Sequence, residues 1–538
     1  MAPQSRCYRL PWIALLLLAA ALRLPFPAWD GGIAAHPDER FLLGVAESTP
    51  LWGDPNVAAP DFPYGSLPVY LARLLINATP DADPLYVLRL FSGLLGVLLV
   101  ALAGALGRVL LDEQGALWAA ALLAVAPFPI QQAHFFTVDP LGTALATGAI
   151  LAAMRRRTRW AALVAGFAVA CKISLIWVLL PVVGGIFFAD RYAVAPLLRQ
   201  AAKTLLLAFL AFALVSPWAL LRPVTAWRGP LIQAGMAAGR FDFPYTRQYA
   251  GTWPYLYPLA QMALWGLGPL VTVVGCWGLA VVSVRWRRLT LRHRVAACWT
   301  GCYFLATAGL YVKYPRYLLP LYPIWVVWAI YGVRQIRYSL AAQLPAIIGY
   351  GLLLLPTLAL GWAQFSVYQQ PHPWEVASRW LYVNLLPGEA VAVEEWDHPL
   401  PVPLPEYDPA RYAQRFLPLF AEDAPEKMSA LRAAAEEDVV IVLASRRGYG
   451  ALTRQPERYA GTVRWYQSVL AEREVRTFTR CPRLGPVALT DDPLAEAGLP
   501  VTRSLAERCD TPYALRLPRL DESFRVYDAP VVFLLLRR

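Results

Sequence analysis

The sequence predicts a polytopic α-helical membrane protein of about eleven transmembrane helices, followed by a C-terminal extracytoplasmic α/β or α+β domain. Three observations predict it. Of the 538 residues, 57% are hydrophobic and only 16% charged, against roughly 25% charged in an ordinary soluble domain. Apolar runs approaching the roughly 20 residues that a bilayer demands recur along residues 1–368. From residue 369 those runs shrink to strand length, so the expected division is a membrane domain 1–368 and a soluble domain 369–538.

The net charge of +12 does not point to nucleic acid. The arginines cluster in short pieces between apolar runs, where cytoplasmic loops collect positive charge. Orientation accounts for the basicity, and no nucleic-acid partner is expected. The first apolar run, about 10–26, has no small-residue cleavage site behind it and reads as a retained span. The tail before it holds Arg6 and Arg9 and is expected in the cytoplasm.

A polar, proline-rich loop follows. It carries Ala35-His36-Pro37-Asp38-Glu39-Arg40-Phe41 and then Asp61-Phe62-Pro63-Tyr64-Gly65-Ser66-Leu67-Pro68. The apolar segment 69–76 after it suits a helix lying along the interface. Asp81 and Asp83 precede the second span, about 85–107, and read as helix caps, with an Asp-x-Asp metal pair as the alternative. The third span, about 115–130, ends at Pro127 and Pro129. Residues 131–140 then turn into the fourth, about 140–154. Arg155-Arg156-Arg157-Thr158-Arg159 follows as a strongly cytoplasmic signal and fixes the register of the topology.

The run 160–188 is too long for one span and short for two, and Lys172 sits in its middle. An intramembrane lysine costs several kcal/mol unless it reaches water or a partner. The run is therefore read as a hairpin of two short helices with Lys172 at the outer turn. It leads to a cytoplasmic loop holding Arg191, Arg199 and Lys203. A single tilted helix would invert every later loop.

Next come a span at about 204–221 and an aromatic outer loop, 222–257, whose rings suit an interfacial belt. Spans at about 258–284, 295–312, 318–333 and 342–366 enclose further arginine-rich loops, including Arg285 to Arg288 and Arg292 to Arg294. Lys313-Tyr314-Pro315-Arg316-Tyr317 falls on the outer side. In the C-terminal domain, strands are expected at 390–393, 438–443 and 529–536, with a helix over 427–437. Cys481 and Cys509 both fall there and can pair if the compartment is oxidising. Cys7, Cys171, Cys276, Cys298 and Cys302 read as buried or free thiols without metal-ligand spacing.

The ionisable groups on the outer side carry the chemistry. Asp38 and Glu39 are neighbours and on a helix would point about 100° apart. One can face a pocket while the other holds an arginine or caps the helix. A carboxylate near an apolar boundary can serve as a general base, and a helix cap is the competing reading. Asp139 has the same two readings, because Val138-Asp139-Pro140 is a good helix start. Lysine occurs only at 172, 203, 313 and 427, so two of four, Lys172 and Lys313, at the outer boundary call for an explanation. With Arg316, and Arg89 near the start of the second span, they suit a phosphate at headgroup level, which arginine grips in a forked geometry. Snorkelling anchors are the alternative.

In their order and sidedness these segments resemble the GT-C membrane glycosyltransferases. The branch is that of the dolichyl-phosphate-mannose protein mannosyltransferases and the bacterial aminoarabinose lipid A transferases. His36-Pro37-Asp38-Glu39 stands where that family has an acidic motif in its first outer loop, and His134 to Asp139 is similar to its aspartate opening the fourth span. Ala170-Cys171-Lys172-Ile173-Ser174 matches a lysine-containing turn. Tyr314 to Pro320 resembles an Arg-Tyr-Leu segment, and Tyr86 to Gly93 also looks familial. Glu522 to Asp528 resembles the C-terminal strand of uncharacterised bacterial relatives.

The resemblance implies a polyprenyl-phosphate sugar as donor and a lipid, glycan or protein acceptor at the outer face of a cell inner membrane. It implies Asp38 as base, with Glu39 or Asp139 positioning, and Lys172, Lys313, Arg316 and Arg89 on the donor phosphate. His36, His134 and Tyr64 are the candidates for acceptor or sugar contacts. No metal or other cofactor is required by that chemistry. The oligosaccharyltransferase branch uses a metal, and Asp38, Glu39, Asp81 and Asp83 leave a divalent ion open. A transporter or flippase would show internal repeats and charges near the midplane, and a receptor would need a cytoplasmic output module. The charges here sit at the outer boundary and the cytoplasmic pieces are short loops; a transporter or flippase of a lipid-linked or envelope glycan stands as the alternative to the transferase.

Overall fold

A computed structural model describes residues 8–189, 194–339, 345–395, 398–501 and 503–537. Arg6, Cys7 and Arg191, and the first residues of the expected 342–366 span, lie outside them. The chain forms two compact units. The first comprises the chain up to Pro27 with Asp38–Arg240 and Pro254–Gly361, and the second comprises Ala28–Pro37, Phe241–Trp253 and the chain from Trp362 onward.

The helices of the first unit that matter here are α1 (Arg9–Ala21), α2 (Pro37–Ser48), α3 (Leu67–Ala78), α4 (Pro84–Leu110), α5 (Glu113–Val125), α6 (Pro127–Ala133), α7 (Val138–Met154), α8 (Thr158–Cys171), α9 (Leu179–Ala189) and α10 (Val194–Val215). After them come α11 (Pro269–Val284), α12 (Leu291–Ala308), α13 (Tyr322–Ser339) and α14 (Ala346–Val367). Local sequence sets their ends. Asp83 accepts from the Tyr86 N–H at 2.8 Å and Pro84 opens α4, as a helix start requires. Asp112 accepts from the Gly115 N–H at 2.8 Å and starts α5. At the crossing of α11 and α13, a Cβ on Gly278 would lie 2.1 Å from the Trp328 carbonyl oxygen, so only glycine lets the two backbones meet.

By length and composition, the described residues hold three helices able to cross a membrane: α4, α10 and the Ile347–Val367 part of α14. The number is four if α5 and α6, which meet at a 64° bend, count as one span. The expected eleven are therefore not all present as long uninterrupted helices. Backbone chemistry gives the reason. The expected 258–284 span breaks at Gly268, in the left-handed region at φ +91°, just before Pro269. The run 160–188 is two short helices, as expected, divided at Lys172, which is extended and followed by a 3₁₀ turn, Ile173–Val178. At the α5–α6 bend Pro127 has no N–H to give, and buried Arg23 supplies donors instead. Its guanidinium reaches the Leu123 carbonyl at 2.8 Å and the Ala124 carbonyl at 2.7 Å, satisfying helix-end acceptors that lipid could not.

The second unit contains a five-stranded mixed sheet of order β2-β1-β3-β8-β4 and a three-stranded sheet of order β5-β6-β7. The strands are β1 (Ala390–Glu394), β2 (Ala413–Leu417), β3 (Val440–Leu443), β4 (Glu474–Phe478), β5 (Arg483–Leu484), β6 (Val487–Thr490), β7 (Tyr513–Arg516) and β8 (Val532–Leu536). β1 runs parallel to β2 and β3, and β8 is antiparallel to β3 and β4. Ile441, Leu443, Phe533 and Leu535 from the sheet bury against Leu431, Tyr449, Tyr466 and Leu470. Cys481 and Cys509 form a disulfide within a small cluster that includes Ala488.

Two strips from far up the chain complete this unit. Arg480 donates to the Trp29 carbonyl at 2.8 Å and lies 5.3 Å from the Trp29 ring centroid. The side chain of Gln248 exchanges two 3.0 Å hydrogen bonds with Glu522, one to its backbone N–H and one to its carboxylate.

Candidate active site

α2 begins at Pro37, so Asp38 and Glu39 occupy its first turn, where helix N–H groups favour negative charge. The helix turns them to different partners. Glu39 is fully buried in a two-pronged ion pair with Arg89 of α4, at 2.9 and 2.6 Å. It also accepts from the Phe136 N–H at 2.7 Å, and Arg89 spends a further donor on the Pro27 carbonyl at 2.8 Å. Every strong group of this pair is therefore engaged within the fold. It ties α2, α4 and the turn before α7 together.

Asp38 points elsewhere. It is ion-paired with Arg316, and both side chains keep about a quarter of their surface, 22% and 26%. Arg316 lies on a 3₁₀ segment, Pro315–Leu321, with its guanidinium 5.2 Å from the Tyr314 ring centroid. Asp139, in the first turn of α7, is paired with Lys172 at 2.5 Å. Lys172 in turn lies 5.1 Å from the Tyr317 ring centroid. Tyr64 shares this electrostatic neighbourhood. Burial, and then the negative charges of Asp38 and Asp139, push its phenol well above the usual range, against the opposing pull of Arg316. It therefore stays a hydrogen-bond donor at neutral pH.

Backbone contacts hold the cluster in register. The Gly65 N–H donates to the Cys171 carbonyl at 3.3 Å, and a Cβ at Gly65 would lie 1.9 Å from the Ala170 carbonyl oxygen. Cys171 donates its thiol to the Val138 carbonyl at 3.3 Å. Tyr64, Lys172 and Asp139 are thus each one residue from a contact that locks their backbones.

Of the expected site residues, the structure gathers Asp38, Tyr64, Asp139, Lys172 and Arg316. Glu39 and Arg89 form the separate buried pair. Lys313 donates to the Tyr311 carbonyl at 2.8 Å. His134 is buried and its Nδ1 donates to the Ile130 carbonyl at 2.9 Å. His36 belongs to the second unit, its ring 4.2 Å from that of Tyr527.

A family model described as dolichyl-phosphate-mannose-protein mannosyltransferase matches residues 68–220. The archaeal oligosaccharyltransferase AglB from Archaeoglobus fulgidus, solved with an inhibitory peptide and a dolichol-phosphate, superposes with a TM-score of 0.55 at 15% identity. That match covers 87% of this chain and 73% of the other. The chain has a GT-C-like fold. The Archaeoglobus fulgidus oligosaccharyltransferase in complex with Zn and sulfate matches at TM-score 0.51 and 16% identity, over 88% of this chain and 72% of that one. ArnT from Cupriavidus metallidurans in the apo state matches at TM-score 0.50 and 15% identity, over 82% and 94%. No curated protein matches by sequence.

One of these neighbours was solved with zinc, which raises the question of a metal here. Among the described residues no three His, Cys, Asp or Glu side chains converge as ligands. Asp38 and Asp139 are each committed to a cation, and Asp83 caps α4.

Tyr317, Gly65 and Cys171 also contribute to this cluster and were not among the expected site residues. Tyr317 and Cys171 sit inside segments singled out for a neighbouring cation. Gly65 gave a subtler signal, a glycine between Tyr64 and a Ser-Leu-Pro helix start.

Proposed function

We propose that this protein is an integral-membrane glycosyltransferase that moves a hexosyl or pentosyl unit from a polyprenyl-phosphate donor to an acceptor at the outer membrane face. The observation that carries the reading is the Asp38–Arg316 pair, a carboxylate and a guanidinium that are joined yet partly open. A base that must stay ionised and a cation that must meet a phosphate neutralise each other until substrate arrives. The donor phosphate then recruits Arg316 with Lys172, and Asp38 is released toward the acceptor.

The transfer itself balances simply. An acceptor oxygen or nitrogen attacks the anomeric carbon from the face opposite the phosphate, so configuration inverts. The bond between that carbon and the phosphate oxygen breaks, its electron pair stays on the phosphate, and the acceptor proton passes to Asp38. Arg316 and Lys172 meet the developing negative charge, where fixed cations lower a barrier most. Tyr64 donates a hydrogen bond to sugar or phosphate. Asp139 holds Lys172 in place. Glu39 and Arg89 act as the frame that fixes α2.

For the rest of the architecture, we assign 1–368 to the membrane module, with about eleven membrane passes counting short and broken helices. Residues 369–538 are assigned to the extracytoplasmic side. The Cys481–Cys509 disulfide supports that side, since such bonds persist in oxidising compartments. The arginine-rich turns support a cytoplasmic location for the opposite ends of the helices.

The test is sugar transfer in proteoliposomes from a panel of polyprenyl-phosphate sugars to cell-envelope acceptors. Wild type and Asp38→Asn are compared with and without EDTA. Transfer should fall roughly 10²–10⁴-fold in Asp38→Asn and tolerate EDTA. Abolition by EDTA would reassign the acids to a metal. Movement of the lipid-linked sugar across the bilayer without transfer would replace the reading with a flippase.

A further inference from the structure

A cavity of about 900 Å³ opens beside the first turn of α8 and the side of α10. Asp139 stands at the start of α7 and this cavity lies past its end, so the two are separated by the length of a 17-residue helix, roughly 25 Å at 1.5 Å per residue. Arg156, Arg157, Arg159 and Lys203 line it, together with Leu207 and Leu210 further along α10. None of the four cations has an ion pair or side-chain hydrogen bond among the described residues. Cations gathered around one void without counter-charge concentrate positive potential there and attract anions.

The apolar part of the wall says which anion. Leu210 lines the cavity and is also 53% exposed, like Leu206, Phe209 and Leu214 on the same helix. The cavity is therefore continuous with an apolar surface that, in a helix long enough to span, faces lipid. From Lys203 to Leu210 is roughly 10 Å along the axis, about the depth from a headgroup phosphate into the upper acyl chain. Trp160, 63% exposed at the rim, is the residue type that settles at that boundary.

We propose that this cavity is a binding site for an anionic glycerophospholipid of the cytoplasmic leaflet. Its phosphate is held by Arg156, Arg157, Arg159 and Lys203, and one acyl chain runs along α10. The assignment of leaflet rests on the orientation proposed above. The binding does not depend on the transfer reaction.

The test is titration of the full-length protein in neutral detergent with dioctanoyl-phosphatidylglycerol, read as a saturable rise in Tm. Dioctanoyl-phosphatidylcholine and sodium phosphate serve as comparison probes. Phosphatidylglycerol should saturate, with an affinity that weakens as salt rises, while the other two give little. Each surface cation contributes roughly fivefold, so the triple variant Arg156→Gln, Arg159→Gln, Lys203→Gln should lose on the order of 100-fold in affinity. Lys203→Gln alone, at an exposed position, should lose about fivefold and decides the matter if the triple variant fails to fold.

Equal response to phosphatidylcholine, a match by free phosphate, or unchanged affinity in the variants would overturn the proposal. Asp38→Asn is expected to keep full lipid binding. Failure of the transfer reading and failure of this site are thereby told apart.

Discussion

Asp38 and Arg316 are 278 positions apart in the chain and form one ion pair. Nothing local to either residue creates it. The start of α2 and the 3₁₀ segment Pro315–Leu321 bring them together, and each is left partly open. If Arg316 moves from carboxylate to donor phosphate during turnover, its loss should fall on the chemical step. Arg316→Gln is expected to lower kcat roughly 10²–10³-fold with a smaller change in the acceptor KM. Arg316→Lys should recover only part, because the forked geometry is gone. Steady-state transfer assays separate the two parameters; an effect confined to acceptor KM would assign Arg316 to acceptor binding instead.

The Glu39–Arg89 pair predicts a different phenotype. Both side chains are essentially fully buried, so removing one charge strands the other, at a cost of about 3–5 kcal/mol. Glu39→Gln should unfold at clearly lower temperature, and Glu39→Gln with Arg89→Met should regain much of the loss. Thermal unfolding of wild type, Glu39→Gln, Arg89→Met and the double variant in detergent completes the cycle. A Glu39→Gln protein with wild-type stability and no transfer would make Glu39 a reacting group.

Gly65 offers a steric test. Gly65→Ala places a methyl group where the Ala170 carbonyl oxygen already stands, which forces the Tyr64 loop away from the Lys172 turn. Displacement on the order of 1 Å costs roughly 10²-fold in rate. Gly44→Ala, with nothing within 4 Å of the added carbon, is the control and should transfer normally. Equal activity in the two variants would remove Tyr64 from the site.

Glu496, in the second unit, sets a pH dependence. Burial, and then the charge of Asp491, raise its pKa from 4.5 to about 7. The folded protein thus holds this proton more tightly than the unfolded chain does. The stabilisation is fully present below pH 4.5 and is lost as pH rises through 7. Because the side chain is partly exposed, screening reduces the effect to on the order of 1 kcal/mol. The difference in Tm between wild type and Glu496→Gln should change between pH 5 and pH 8 in that sense. A pH-independent difference would remove Glu496 as the cause.

The disulfide closes a loop of sequence separation 28, for which chain entropy gives about 3.5 kcal/mol. Cys481→Ser with Cys509→Ser should lower the unfolding temperature of the second unit, as should reductant on the wild type. Reductant without effect on the wild type would mean that the bond is absent from the purified protein.

Apolar length made the membrane character readable, and the order of the charged segments made part of the cluster readable. Of the ions expected on one face, Asp38, Asp139, Lys172 and Arg316 share one electrostatic neighbourhood, whereas Lys313 donates to the Tyr311 carbonyl. Pairing was less readable. That one of two adjacent acids would hold an arginine follows from helix geometry, but which acid and which arginine depend on α4 lying beside α2. The break at Lys172 was readable from a lysine in the middle of its apolar run, and Pro127 from a proline at the end of one; the break at Gly268 was hidden inside an apolar run, because hydropathy averages over the backbone features that interrupt a helix. Gly65 was hidden for the opposite reason. Its role is an absence of atoms, visible only once Ala170 stands beside it.

The borrowed strips Ala28–Pro37 and Phe241–Trp253 bear on how such a chain evolves. Arg480 finds an acceptor at Trp29, and Glu522 is matched by Gln248. A gene fusion or exchange cut at the start of the C-terminal region would leave these partners behind in another sequence. The tail is thus no portable cassette: it depends on two strips from far up the chain, one of which runs directly into Asp38, so a change in the tail calls for a matching change in those strips.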